Sequence, residues 1–387
     1  MVLQILPCES HRTILETVLM EGTMTTAVKF GAIDADAHVV ESEHTWDFLD
    51  KEDLQYRPQL FSSPDNSQSR YWVIDGKIAG LRLPTPSERE LEIMSERAGR
   101  DLVTAADARH LDDVSLRLRH MDDLGVDIQI LHNTLWISDV TRRPEVDRAL
   151  CKAWNKWMAS AWKQSDGRLR WSAVLPLTDL DQAIDMMPWA KENGAVGVVM
   201  KPFEDDRFML DPYFHPYLAA AQEHDLTITI HIANANQNYV KAMNSPYDPS
   251  GGLPTFRMPT VHACNGLILS DLPKRFPDLR WGFIESSCQW VPWIMHETSR
   301  RAHQAGWKIP ENPFKDYNIY VSAQTDDDFE YVFSYIGDEN IVIGTDYGHT
   351  DTSSEVDAIE TFRNLPSVNE ESKKKILVDN ALSLYHL

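Results

Sequence analysis

Four apolar, strand-like runs of this chain end in short polar motifs, and this pattern constrains the fold more than any other feature. The motifs end at His38, His231, Glu285 and Asp346, and each of these side chains can bind a metal. In a barrel of parallel strands the C-terminal ends of all strands lie at one face, so residues far apart in sequence converge there. The pattern therefore predicts a metal-dependent enzyme built on a parallel barrel.

Eight strand-like runs alternate with helix-like stretches, which is typical of an α/β chain and predicts a (β/α)8 TIM barrel. No internal repeat or low-complexity segment competes with this interpretation. The predicted strands are Lys29–Asp34, Asp127–His132, Leu169–Leu175, Val196–Met200, a fifth ending at His231, a sixth ending at Glu285, Tyr317–Val321, and an eighth ending at Thr345 and Asp346.

Two long segments interrupt this alternation. Residues 50–108 are too many for an ordinary barrel loop, and they contain a predicted hairpin with its turn at Asp75 and Gly76. Residues 233–260 follow the fifth strand. Because loops at strand C-termini surround the active face of such barrels, we predict that both segments are inserted cap loops there. The predicted domains are an N-terminal arm, 1–28, and a single barrel, 29–387.

Composition limits the classes of partner. The net charge of −22 and the pI of about 5.0 argue against nucleic acid and against an anionic membrane, which leaves a small-molecule substrate. The four cysteines have no paired spacing, which favours a reduced, cytoplasmic setting. The first 23 residues lack the basic start and clean apolar core of a signal peptide, and we expect no membrane-spanning helix.

The candidate metal ligands come from three predicted strands. Asp36 and His38 are two residues apart, so on an extended strand both face the same side, and His231 and Asp346 add an imidazole and a carboxylate. This set suits one divalent metal, preferably zinc, with manganese or iron as alternatives and one position open to water. Taken singly, His231 could be a core or capping histidine, and Asp346 could N-cap the next helix.

Four motifs together resemble the amidohydrolase-2 family, which is related to aminocarboxymuconate-semialdehyde decarboxylase and γ-resorcylate decarboxylase. The resemblance covers residues 29–387, and it implies a divalent metal, usually zinc, held by Asp36, His38, His231 and Asp346. It also implies a homodimer, and either hydrolysis or decarboxylation of aromatic or muconate-type acids. The motifs are Ile33–Glu41, His120–Asp127, Lys274–Arg280 and Gly344–His349.

The chain departs from the family decarboxylases at two positions. They generally carry a catalytic histidine where this chain has Glu285, and Asp36 replaces the more usual His or Glu. A glutamate with an ordinary pKa of about 4.3 is ionised and repels a substrate carboxylate. We therefore predict a metal-dependent hydrolase of a small carbonyl-bearing or aromatic substrate, with Asp346 and Glu285 as catalytic groups. The alternatives are a non-oxidative decarboxylase and a catalytically inactive binding scaffold.

Six further residues are predicted to bind substrate or to support the ligands: Lys201, His132, Glu41, His349, Trp290 and Arg257. Lys201 closes the fourth strand, where binuclear superfamily members place a carboxylated lysine, so a second metal is one alternative. An ion pair with a carboxylate such as Glu285 is the other. Glu41 follows His38 closely and is predicted to orient a ligand histidine.

Overall fold

The computed structural model describes residues 31–62, 70–82 and 86–387, and eight parallel strands form its central sheet. The predicted arm, 1–28, lies outside the described residues. Strands that are consecutive among these eight pair with one another, and a bridge between Ala37 and Tyr347 joins the last to the first, which confirms the (β/α)8 barrel. The strands are β1 Ile33–His38, β2 Ile128–His132, β3 Leu169–Ala173, β4 Ala195–Met200, β5 Thr227–His231, β6 Trp281–Ile284, β7 Ile319–Ala323 and β8 Ile341–Ile343.

One principal helix follows each strand, and a ninth helix ends the chain. Within the described residues, no helix is both long enough and apolar enough to cross a membrane. The helices are α1 Val114–Leu124, α2 Pro144–Gln164, α3 Leu180–Glu192, α4 His215–Glu223, α5 Met258–Leu269, α6 Val291–Ala305, α7 Phe329–Ile336, α8 Ala358–Arg363 and α9 Asn380–Tyr385.

The first strand lies further along the chain than its apolar residues indicate. We predict it over Lys29–Asp34, of which residues 29–30 lie outside the described residues, whereas β1 covers Ile33–His38 and is buried throughout. Alanines alternate with the two aspartates and the histidine along β1. One face of the strand therefore carries the polar side chains, and the other carries small apolar side chains that can pack. The pairing with β2 shifts register between Asp34 and Ala37, which is a β-bulge. Such bulges redirect side chains next to active sites, and this one lies at Asp36.

The barrel closes where the segment after β8 meets β1. The amides of Thr345 and Asp346 both donate to the Asp36 carbonyl, at 3.2 and 2.8 Å, and the His38 amide donates to the Tyr347 carbonyl at 2.9 Å. Gly344 permits this approach, because a Cβ atom there would lie 2.2 Å from the Cβ of Asp36. Closure therefore brings the end of β8 directly against the residues of β1 that carry the candidate ligands.

The C-terminal helix α9 packs its apolar side chains against the barrel interior. Leu384 and Tyr385 belong to one buried cluster with Ile33 of β1 and Ile130 of β2, and the Tyr385 hydroxyl donates to the Ala35 carbonyl at 3.2 Å. The apolar core therefore lies beneath the strand ends that carry the polar motifs, and the polar residues collect above it.

The segment after β1 contains a small antiparallel sheet. Its strands are Gln59–Ser62, Arg70–Ile74 and Lys77–Arg82, and the predicted hairpin turn is present at Asp75 and Gly76, both with positive φ. Such paired left-handed residues suit a tight two-residue hairpin. A helix over Glu88–Ala98 follows. The second long segment holds a helix over Gln237–Met243 and a π-helical turn over Leu253–Arg257.

Candidate metal centre

Five buried side chains meet at the C-terminal end of the barrel, and we call them the histidine–carboxylate cluster. They come from the ends of β1, β5, β6 and β8, as the strand-end motifs predict. Each is at most 7 % exposed. The members are Asp36, His38, His231, Glu285 and Asp346.

The His38 Nε2 atom lies at the centre of this cluster. His231 Nε2 is 3.0 Å away, and the carboxylate oxygens of Asp36, Glu285 and Asp346 lie at 3.5, 3.6 and 3.5 Å. His231 Nε2 is also 3.4 Å from Asp36 and 3.1 Å from Glu285. A tetrahedral ion with bonds of about 2.1 Å has donor atoms about 3.4 Å apart, so these separations fit such an ion.

The protonation of His38 gives a second indication of a cation. Its Nδ1 lies 3.1 Å from the Asn133 carbonyl oxygen, which can only accept, so Nδ1 carries the proton and neutral His38 presents a lone pair at Nε2. That lone pair faces three carboxylate oxygens. Among the described residues, no lysine or arginine forms an ion pair with Asp36, Glu285 or Asp346. The donor set therefore fits a divalent metal, which would supply the missing positive charge.

Burial and mutual repulsion shift the acids of the cluster in different directions. Burial, together with the charges of Asp346 and Asp351, raises the pKa of Glu285 well above its ordinary value. Burial also raises the pKa of Asp346 to about 7. For Asp36 burial is opposed by the neighbouring imidazoles of His231 and His38, which lower its pKa. The cluster thus holds one firmly ionised acid beside two that readily take up a proton.

Asp346 forms a close pair with His349. The His349 Nδ1 atom is 2.8 Å from Asp346 Oδ1, and Ser354 donates to Asp346 Oδ2 at 2.6 Å. Burial alone would lower the pKa of His349, but the Asp346 carboxylate raises it to about 9. The other ring nitrogen, Nε2, lies 2.8 Å from the Thr134 hydroxyl. His349 therefore connects the cluster to the loop after β2.

A second polar layer supports the cluster from below. Asp34 accepts hydrogen bonds from the amide and hydroxyl of Thr345, at 3.0 and 2.6 Å, and from Gln129 at 2.9 Å. Gln129 accepts from Arg117 at 2.7 Å, and the fully buried Arg117 guanidinium donates to the His38 carbonyl at 3.3 Å. This layer fixes the backbone on both sides of the β1–β8 contact.

A cavity of about 600 Å³ opens onto the cluster. Its charged and titratable lining residues are His38, Arg109, His231, Glu285, His349 and Asp351, while most of the lining area is apolar. Pro86 and Met94, from the segment after β1, contribute to the apolar lining, as a cap would. The apolar and uncharged wall residues include Val40, Pro86, Met94, Leu135, Trp136, Ile137, Val199 and Ala233.

Lys201 forms an ion pair with a carboxylate, as one of the sequence-based alternatives has it, but the pair lies apart from the cluster. Its ammonium group is 2.9 Å from Glu204 Oε2, and Asp147 is near enough for its charge to contribute to the raised pKa of Lys201. These three residues line a separate cavity of about 300 Å³, which we call the Lys201 cavity. The ion-pair alternative therefore describes its position, with Glu204 in place of Glu285.

Three other predicted residues lie outside the lining of the cavity. Glu41 accepts from the Thr134 and Leu135 amides and from Trp154, whereas the partner that orients His38 is the Asn133 carbonyl. Trp290 donates to the Ser286 carbonyl and packs near Phe283 and Phe314. Arg257 donates to Ser353 at 2.8 Å. Among the described residues that line the cavity, Glu41, Trp290 and Arg257 are absent.

His132 lies beside the cluster, as its position at the end of β2 suggests. Its ring centroid is 5.1 Å from that of His231, and its Nε2 is 3.4 Å from the Ala35 carbonyl. Burial lowers the pKa of His132 to about 4. Sequence reasoning missed Asp351 and Thr134, which adjoin Glu285 and His349. Their places in the loops after β8 and β2 are the signal that could have identified them.

Comparison with known proteins agrees with this geometry. The amidohydrolase family model matches residues 33–387. The chain belongs to the amidohydrolase family. The family and its solved relatives include enzymes, and the buried cluster of this amidohydrolase has the composition of a metal site.

Three solved structures illustrate the range of similar proteins. An amidohydrolase from Mycobacterium avium subsp. paratuberculosis K-10 has a TM-score of 0.75 and 19% identity, covering 93% of this chain and 99% of the other. A 5-carboxyvanillate decarboxylase from Novosphingobium aromaticivorans, with bound manganese, has a TM-score of 0.65 and 16% identity, covering 92% of this chain and 97% of the other. A 2,6-dihydroxybenzoate decarboxylase from Rhizobium has a TM-score of 0.60 and 19% identity, covering 92% of this chain and 98% of the other. At these identities the similarity establishes the fold.

Proposed function

We propose that this amidohydrolase is a metal-dependent hydrolase of small organic substrates that carry a carbonyl group and an apolar body. The observation that carries the proposal is the position of Glu285. It is a carboxylate of the cluster that also lines the cavity, so it can meet both the ligand histidines and a substrate. Arg109 also lines the cavity, but the mainly apolar lining favours a substrate with an uncharged aromatic or aliphatic body.

The cluster would hold one divalent cation through Asp36, His38 and His231, with a carboxylate of Glu285 or Asp346 completing the set. When bound, such a cation polarises a carbonyl oxygen and lowers the pKa of coordinated water. Zinc or manganese suits these nitrogen and oxygen donors. The Asn133 carbonyl keeps His38 in the tautomer that this role requires.

Proton transfer is assigned to Glu285 rather than to Asp346. Both Asp346 oxygens already have close neighbours, Ser354 and His349, whereas Glu285 faces the cavity. In hydrolysis, the oxygen of water bonds to the carbonyl carbon while its proton passes to a Glu285 carboxylate oxygen. The same proton then passes to the leaving group as the bond from the carbonyl carbon to that group breaks. Asp346 pairs with His349, and His349 lines the cavity beside Glu285.

Non-oxidative decarboxylation is the second candidate, because the raised pKa of Glu285 favours its protonated form. A protonated Glu285 could deliver its proton to a ring carbon as carbon dioxide leaves. The two reactions differ in their products, since hydrolysis incorporates water and decarboxylation releases carbon dioxide.

A substrate screen in ¹⁸O-labelled water separates the two candidates. The panel contains p-nitrophenyl acetate, dihydrocoumarin and N-acetyl amino acids for hydrolysis, and 2,6-dihydroxybenzoate and 5-carboxyvanillate for decarboxylation. We expect ¹⁸O in the product acid, and about 10²-fold lower turnover for Glu285→Gln at unchanged fold. Glu330→Gln, an exposed change on α7, is the control. Release of carbon dioxide without ¹⁸O incorporation would overturn the hydrolytic assignment, and wild-type turnover of Glu285→Gln would overturn the role of Glu285.

A further inference from the structure

The turn after β6, residues 285–288, adopts a backbone conformation that is unfavourable for residues other than glycine. Glu285 has φ +61° and Ser287 has φ +60°, and neither residue is glycine. Residues with a Cβ atom rarely adopt this left-handed region, and they remain there only where the surrounding structure holds them. The direction of the Glu285 side chain depends on this turn, so the contacts that hold the turn also decide whether Glu285 reaches the cluster.

A single carboxylate makes three of these contacts. Asp327, which follows β7, accepts a hydrogen bond from the Ser287 hydroxyl at 2.5 Å through Oδ1. Its Oδ2 accepts from the Cys288 amide at 2.9 Å and from the Cys288 thiol at 3.2 Å. The same Oδ2 accepts from the Gln324 amide at 2.9 Å, which fixes the carboxylate to the end of β7. Asp327 therefore ties the turn after β6 to the neighbouring strand.

Asp327 lies outside the lining of the cavity. Among the described residues that line the cavity, Glu285 is present and Asp327 is not. The two flanking aspartates have other contacts, since Asp326 pairs with Arg100 at the surface and Asp328 caps α7 through the Tyr331 amide. Three consecutive aspartates thus have three separable environments, and only the middle one contacts the turn that carries Glu285.

We propose that Asp327 is a positioning residue for Glu285. Its carboxylate holds the left-handed turn in the conformation that places Glu285 3.1 Å from His231 and 3.6 Å from His38. The proposal rests on the proposed function in one respect, namely that the histidine–carboxylate cluster binds a divalent cation, and it takes Glu285 as the carboxylate that completes the ligand set. Through Glu285, Asp327 then sets the affinity of the cluster for that cation, as residues that orient metal ligands do.

The test is a double-mutant cycle read by metal affinity. Mn²⁺ binding to the full chain is measured by isothermal titration for the wild type, Asp327→Asn, Glu285→Gln and the double variant. We expect Asp327→Asn to weaken Mn²⁺ binding by about 10–100-fold, because the amide has lost one acceptor oxygen. In the Glu285→Gln background the same change should have an effect of about twofold or less, because the residue through which it acts is already altered.

Asp326→Asn is the matched control, with Mn²⁺ affinity expected within about twofold of the wild type. Circular dichroism and the melting temperature of the metal-free variants separate misfolding from misplacement, and Asp327→Asn is nearly isosteric so that the fold is retained. Unchanged affinity in Asp327→Asn overturns the proposal, and so does an equal loss in both backgrounds, which would indicate a general structural role. No saturable Mn²⁺ binding by the wild type would instead refute the metal assignment, and the proposal with it.

Discussion

The histidine–carboxylate cluster and the Lys201 cavity are both buried groups of charges near strand C-termini, yet they balance charge differently. In the Lys201 cavity the ammonium group lies 2.9 Å from Glu204, and the Lys201 amide donates to the same carboxylate at 2.8 Å. Asp147 accepts from the Thr178 hydroxyl at 2.8 Å. The protein therefore supplies the positive charge in this cavity from its own sequence.

In the histidine–carboxylate cluster Asp346 pairs with His349 at 2.8 Å, but no described lysine or arginine forms an ion pair with Asp36 or Glu285. The carboxylates of the cluster face the Nε2 atoms of His38 and His231, and the lone pair of His38 offers no positive charge. Buried charges are costly unless they are paired or bind metals. The Lys201 cavity thus contains a cation of its own, whereas among the described residues no lysine or arginine pairs with Asp36 or Glu285, and this composition suits a metal site.

Removal of a ligand histidine should give the largest effect. His231→Ala removes a nitrogen donor that lies 3.0 Å from His38 Nε2, so we expect Mn²⁺ or Zn²⁺ binding to weaken by more than about 10²-fold, beyond the usual cost of changing an orienting residue. Turnover should fall with it. Metal content after dialysis, measured by inductively coupled plasma mass spectrometry, checks this. His303→Ala, an exposed change on α6, is the control. Full metal content in His231→Ala would refute the assignment of His231 as a metal ligand.

A change in the Lys201 cavity should affect stability and spare the metal. Lys201→Met leaves Glu204 and Asp147 without their buried cation, so we expect the free energy of unfolding to fall by about 3–5 kcal/mol. Urea unfolding followed by tryptophan fluorescence measures this loss, and metal content should stay at the wild-type level. The double change Lys201→Met with Glu204→Leu should recover part of the stability. Loss of metal in folded Lys201→Met would show that the two regions are not independent.

The barrel was predictable from the sequence because strand-length apolar runs recur with helices between them, and the strand ends then locate the site. The error in β1 has a physical reason. Asp34 is fully buried and looks unsuited to a strand interior, but Thr345 and Gln129 satisfy it through contacts distant in sequence. Only the folded barrel brings these partners together.

The finer details of the site depend on backbone conformation, which the sequence does not reveal. Glu41 lies near His38 in sequence, but the group that orients His38 is the Asn133 carbonyl, a group that every residue possesses. Lys201 closes a strand as His231 does, yet it lies in a separate cavity with Glu204. The reach of Glu285 toward the cluster depends on a left-handed turn that no residue type in the motif signals.

The metal content of the wild-type chain shows whether the histidine–carboxylate cluster binds a divalent ion. The protein, purified without added chelator, is saturated with Zn²⁺ or Mn²⁺, dialysed and measured by inductively coupled plasma mass spectrometry beside a sample stripped with a chelator. We expect about one tightly bound divalent ion per chain, lost on stripping, restored on reloading and accompanied by a higher melting temperature. A folded chain that retains no divalent ion after saturation, with the same melting temperature in both samples, would contradict the assignment of the histidine–carboxylate cluster as a metal site.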